Sequence, residues 1–155
     1  MKSLIRIAGF ASALILALTL KSCSDKACYE DMDPVMYTSL LESGTGLEKK
    51  ADSLRVMGAV SPSPVKMFSQ SSVTSFTLPL DPASDVSTFY IILNGITDTA
   101  VITYTSHPQL VSAECGYTFN SEITGIKSTH NIIDTLTLEN KSVNLYGERN
   151  LRLFY

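Results

Sequence analysis

The sequence predicts an all-β domain: an antiparallel β-sandwich of the immunoglobulin-like kind, with about seven to nine strands. Three observations predict it. Short apolar runs alternate with a period of two, they are separated by Pro, Gly or Asn, and almost nowhere does the spacing change to the helical period. The one place where a helix competes is Leu47 to Met57, through Glu48, Lys49, Lys50 and Ala51. That stretch is short and weakly amphipathic, and Leu54, Arg55, Val56 alternates as a strand does.

Before the domain comes a different kind of segment. Lys2 and Arg6 are followed from Ile7 to Leu20 by 14 residues that are apolar apart from Ser12 and Thr19. This charged-then-apolar order is that of a secretory signal. The run falls short of the roughly 18 to 20 residues that a helix needs to cross a bilayer, which weighs against a retained membrane anchor. An ordinary signal-peptide cut wants small residues at −3 and −1, and Leu20 at −3 of Cys23 breaks that rule. Leu20 with Ser22 before Cys23 instead resembles the lipobox of bacterial lipoproteins, in which the cysteine is lipidated and becomes the first residue of the mature chain. Lys21 at −2 departs from that pattern. The expected organisation is therefore residues 1–22 as signal peptide, 23–34 as lipidated N-terminus and polar tether, and 35–155 as the β-sandwich domain.

Removing residues 1–22 leaves 133 residues, enough for one domain with a core. It also takes away Lys2, Arg6 and Lys21 and no acid, so the net charge moves from −3 to −6. An acidic surface of this kind argues against a nucleic-acid partner, because such binding is dominated by neutralising phosphates with Lys and Arg. Electrostatic docking on anionic lipid is disfavoured for the same reason, so membrane attachment would come from the acyl chains.

Three cysteines are an odd number for an exported chain. With Cys23 acylated, Cys28 and Cys115 remain as a pair that is expected to oxidise outside the cytoplasm. Such a bridge would close a loop over 87 positions and contribute about 4–5 kcal/mol. The other reading is two buried thiols. A catalytic role for Cys115 finds no support, since no His lies within 7 positions of it in sequence.

Ser24 to Pro34 has no apolar period and reads as a tether. Glu30, Asp31 and Asp33 cluster carboxylates, but the glycine and the later bidentate Glu of a calcium loop are missing. Ser24, Asp25 partly resembles the short acidic signal that sends some lipoproteins to the cell surface, and Lys26 interrupts it. Val35 to Leu41 is the first strand, ended by Ser43, Gly44, Thr45, Gly46. Ser61, Pro62, Ser63, Pro64 is an exposed connection. Val65 to Phe68 and Val73 to Leu80 follow, the latter with Thr74, Phe76, Leu78 and Leu80 on one face and Pro79 where an edge tolerates a missing N–H.

Val86 to Leu93 is the expected inner strand, with Phe89, Ile91 and Leu93 on one face, Val86, Tyr90 and Ile92 on the other, and both sides buried. Asn94, Gly95 is a strong hairpin turn. Its partner, Thr99 to Thr105, places Ala100, Ile102 and Tyr104 on one face. His107, Pro108 reads as a hairpin loop, and strands are expected over Leu110 to Glu114, Gly116 to Ile123, Ile132 to Leu138, Val143 to Leu145 and Leu151 to Phe154.

Several of these residues together carry a resemblance: Cys28 with Pro34, Leu54, Arg55, Val56, then Leu78, Pro79, Leu80, then Thr88, Phe89, Tyr90, Asp98, Thr99 leading to Tyr104, and Cys115, Gly116. As a set they resemble an uncharacterised family of small lipoproteins of the Bacteroidota type, a domain of unknown function. The resemblance implies an exported, lipid-anchored domain with Cys28 and Cys115 as a recurring pair. It implies no activity.

No catalytic site, metal or cofactor is expected from the residues. His107 and His130 are the only groups with ordinary pKa values near neutrality, and both read as exposed loop residues. A zinc site from His107, His130 and Asp134 lacks any supporting spacing. There is no Gly-x-Ser-x-Gly turn for a serine hydrolase, and the sequon Asn140, Lys141, Ser142 behind a bacterial export signal marks a turn. The chain is thus expected to be a non-enzymatic envelope lipoprotein. It would be held to the outer membrane by its lipid, on the periplasmic or surface face, with an envelope protein as partner through a sheet edge or exposed aromatics such as Tyr146. The competing expectation is a small-ligand or glycan binder, or an enzyme, whose site is assembled from distant loops.

Overall fold

In a computed structural model of the chain, the residues described are 33–59, 63–113 and 115–155. They belong to one compact unit, Asp31–Tyr155. Ten strands follow one another with no helix among the described residues: β1 (Val35–Leu41), β2 (Leu54–Gly58), β3 (Val65–Gln70), β4 (Ser75–Pro79), β5 (Val86–Leu93), β6 (Ile96–Ser112), β7 (Gly116–Ser128), β8 (Thr135–Leu138), β9 (Ser142–Val143) and β10 (Arg149–Phe154). They form a four-stranded sheet in the order β4-β1-β10-β8 and a six-stranded sheet in the order β3-β2-β5-β6-β7-β9. The all-β sandwich is as expected; its strand count exceeds the seven to nine read from sequence, and one pair is not antiparallel. β1 lies parallel to β10, with Thr38 opposite Leu151 and Leu40 opposite Leu153.

The core lies between the sheets. Met36 and Leu40 of β1, Phe76 and Leu78 of β4, and Leu151 and Leu153 of β10 face Leu54, Val56, Phe89, Ile91, Leu93, Ala100, Ile102, Tyr104 and Ile123 of the other sheet. Each side chain of this size stabilises by about 1.5–3 kcal/mol when removed from water, so the alternating faces dictate how the sheets stack. Leu54 and Val56 are buried while Arg55 is exposed, so the strand reading of this stretch holds over the helical one. Pro79 ends β4, an edge strand, as expected. Asn94 and Gly95 both have positive φ, 51° and 85°, the two-residue turn that matches strand twist between β5 and β6.

Two expectations fail. The outer face of β5 is not closed: Val86 is 47 % exposed, and Tyr90 and Ile92 are half-buried, because no further layer covers that side among the described residues. His107 and Pro108 are not in a loop. β6 runs unbroken for 17 residues, with His107 opposite Asn120 and Pro108 opposite Phe119. The separate strands expected before and after His107 are therefore one. Pro108 is tolerated because β5 stops beside Val86, opposite Thr103, leaving the next residues of β6 on an edge where a missing N–H need not interrupt a ladder.

Beyond those neighbours, β6 and β7 continue as a two-stranded ribbon. β9 reaches only Ser121 and Glu122 on the other side. The residues of the ribbon that keep the inward phase of Ile102, Tyr104 and Ile123 are Pro108, Leu110, Tyr117 and Phe119. The facing sheet ends before them. Val35 pairs with Pro79, and the hollow past that end, about 210 Å³, is bounded by Asp33, Pro34, Pro79, Leu80, Phe119 and Ser121 among others. An apolar inner face thus overhangs the sandwich.

Candidate functional site

The side chains whose chemistry the fold has altered sit in strands and turns. Asp98, 1 % exposed, stands in the inward phase of β6. Its Oδ1 accepts from Thr129 Oγ1 at 2.5 Å and Asn131 N at 2.8 Å, and its Oδ2 accepts from Ile132 N at 2.8 Å and Ile133 N at 2.9 Å. Burial pushes this carboxyl up, but the four hydrogen bonds to its charged form outweigh that and hold it below the ordinary aspartate range. The carboxylate ties down the connection between β7 and β8. It does no visible chemistry beyond that, since all four donors are local structure.

Asn150, also 1 % exposed, performs the corresponding task between the sheets. Its Oδ1 accepts from Tyr37 N at 3.0 Å, and its Nδ2 donates to the carbonyls of Asn140 (3.1 Å) and Ser142 (2.7 Å). Tyr104 donates its hydroxyl to the Asp81 carbonyl at 2.9 Å and holds the turn after β4. Sequence reasoning missed all three as organising residues. The signal was present for Asp98, a charge in phase with Ala100, Ile102 and Tyr104, where only a fully hydrogen-bonded carboxylate is tolerated.

Glu139 receives a forked pair from Arg152, at 2.9 and 2.6 Å, which together with the charge of Arg149 holds its carboxyl low against a small desolvation penalty. Burial, with the charge of Asp52 added, pushes the Tyr155 phenol up, and Lys49 lies 4.4 Å from the centre of its ring.

The two histidines do not come together. His107 borders a surface hollow of about 300 Å³ with Asn120, Glu122, Asn140 and Lys141. His130 borders another, about 380 Å³, with Lys127, Asp134 and Thr135. The zinc set of His107, His130 and Asp134 is thus divided between two hollows, and no group of three metal-ligating side chains occurs among the described residues. His130 Nδ1 donates to the Ile133 carbonyl at 2.9 Å, while Asp134 accepts from the Ser43 hydroxyl. Ser43 therefore meets a carboxylate rather than an imidazole, which is not the contact that activates a hydroxyl nucleophile. A further hollow, about 600 Å³, lies over β2, β3 and β5 and is lined by Arg55, Ser69, Gln70 and Ser71 together with Ile92 and Gly95.

Of the residues singled out from sequence, Cys23 and Cys28 lie outside the described residues. Cys115 is half-buried beside the turn joining β6 to β7, where its N–H donates to Ser112 Oγ at 3.0 Å, and it is not a free side chain. Tyr146 is 86 % exposed in the turn between β9 and β10. Because Val143 pairs with Ser121 and Arg149 with Tyr37, that turn lies at the same end of the sandwich as the overhanging ribbon.

A model of a family of unknown function, DUF6452, matches residues 53–155, from β2 to the last residue, and the chain belongs to that family. No curated protein and no solved structure matches it.

Proposed function

We propose that the chain is an exported lipoprotein of the Bacteroidota type, cut before Cys23 and held to the outer membrane by acyl chains on that cysteine. Its β-sandwich serves as a non-catalytic binding or structural module in the cell envelope. The observation that carries the anchoring is the order Lys2, Arg6, apolar Ile7 to Leu20, then Ser22, Cys23. Supporting the non-catalytic reading, Asp98 and Glu139, the two carboxyls lowered by their neighbours, each hold strands or turns in place. Cys28 and Cys115 form the remaining pair, with Cys115 beside the tip of the long hairpin.

Replacing the acceptor in Cys23→Ala is expected to move the protein from membranes to the soluble periplasmic fraction, and unchanged partitioning into detergent would refute the anchor. Mass spectrometry without reduction is expected to find a peptide joining Cys28 to Cys115; free thiols at both positions would remove the bridge. Crosslinking in the native envelope then identifies the partner. A second reading, a small-ligand or glycan binder, is favoured by the hollow that sets His130 beside Asp134. It requires a ligand whose binding is lost in His130→Ala with the fold intact.

A further inference from the structure

We infer that the overhanging arm of the β6–β7 hairpin rests on the lipid bilayer, with Pro108, Leu110, Tyr117 and Phe119 facing the headgroup and acyl boundary and Tyr146 beside them. The inference rests on the reading of Cys23 as lipidated. Leu110 is 54 %, Tyr117 67 % and Phe119 43 % exposed, although all three stand in the phase that elsewhere fills the core.

Three observations select a bilayer as the occupant. The first is where the anchored chain arrives. Asp33 and Pro34 line the same hollow as Phe119, so the described chain begins at the base of the arm, ten chain steps after Cys23. Fully extended, ten steps span at most roughly 35 Å, and a Cys28–Cys115 bridge would shorten the leash to the five steps from Cys23 to Cys28, roughly 17 Å.

The second is charge. From Ser106 to Ser121 there is no Lys or Arg and a single acid, Glu114, in a mature chain of net charge −6. This arm is the part of an acidic molecule that can approach an anionic surface with little repulsion. The third is residue type: exposed tyrosine and phenylalanine beside aliphatic side chains suit the boundary between water and hydrocarbon.

The same geometry limits the depth. The described arm is a ribbon of two strands, which cannot close into a barrel, and only helices and closed barrels span hydrocarbon, so the arm lies at the interface and does not span. Asp33, which lines the hollow beside Phe119, is exposed and stays in water.

The test uses the full-length acylated chain in vesicles of phosphatidylethanolamine and phosphatidylglycerol. The chain has no tryptophan, so Tyr117→Trp reports the arm, Leu110→Trp repeats it at a second position, and Leu47→Trp reports the opposite end. With brominated acyl chains, both arm variants are expected to lose about half of their emission and to shift to the blue, while Leu47→Trp is unaffected. Unquenched emission from both arm variants in chains that float with the vesicles overturns the docking and leaves the anchor standing. If the unsubstituted chain does not float, anchor and docking fall together. A blue shift without quenching also overturns the docking; sedimentation then assigns the cover to a second copy if dimeric, or to the chain's own tether if monomeric.

Discussion

Along β6 and β7 one alternation runs through two regions that meet different surroundings. Between Asp98 and Tyr104 the inward residues face β1, β4 and β10, and Ala100, Ile102 and Tyr104 are at most 1 % exposed. Between Pro108 and Phe119 the inward residues are of the same apolar kind, yet they look past the end of the other sheet. The difference teaches that alternation sets phase, whereas burial is set by how far the facing layer extends. A strand of 17 residues, about three times the usual length, is therefore part core and part surface.

Mutations along the hairpin break or sharpen this contrast. Tyr104→Ala removes a large, fully buried ring and a hydrogen bond to Asp81, and is expected to cost about 4 kcal/mol in denaturant unfolding. Asp98→Ala leaves the N–H groups of Asn131, Ile132 and Ile133 without their acceptor and is expected to cost about 3 kcal/mol. Its pH dependence has a definite sign. The folded carboxyl lies below its ordinary value of 3.8, so its contribution is complete above that value and is lost as pH falls through the folded one. The loss of thermal stability between pH 5 and 2 should accordingly be shallower in Asp98→Asn than in the parent, over roughly that window.

Phe119→Ser, at the margin of the overhang, is expected to cost about 1 kcal/mol. Tyr117→Ser should fall within about 0.5 kcal/mol of the parent. If Tyr117→Ser cost as much as Tyr104→Ala, the arm would be covered in the folded chain and the contrast would disappear.

Much of this fold is legible in the sequence, for a local reason: Phe89, Ile91, Leu93 and Ala100, Ile102, Tyr104 announce their faces by alternation, and Asn94, Gly95 announces the turn between them. What is not legible depends on distant chain. Pro108 signals a break by its chemistry, and only the early end of β5 makes it harmless within β6. The outer face of β5 is apolar enough to suggest burial, and only the number of layers decides otherwise. Asn150 and Asp98 are polar residues whose partners lie 113 and up to 35 positions away, so their roles follow from pairing that no local pattern specifies.

The parallel pairing of β1 with β10 bears on how the chain acquires its structure in time. Tyr37 and Asn150, joined through the β1 backbone, are separated by 113 positions, and both strands lie in the middle of their sheet. The first strand of the domain to be synthesised must wait for the last before its inner edge is satisfied. Until then only β4 can shelter it. Such long-range closure is slow compared with hairpin formation, so the six-stranded sheet, built mostly from sequential hairpins, is expected to form first and the four-stranded sheet to close over it at the end.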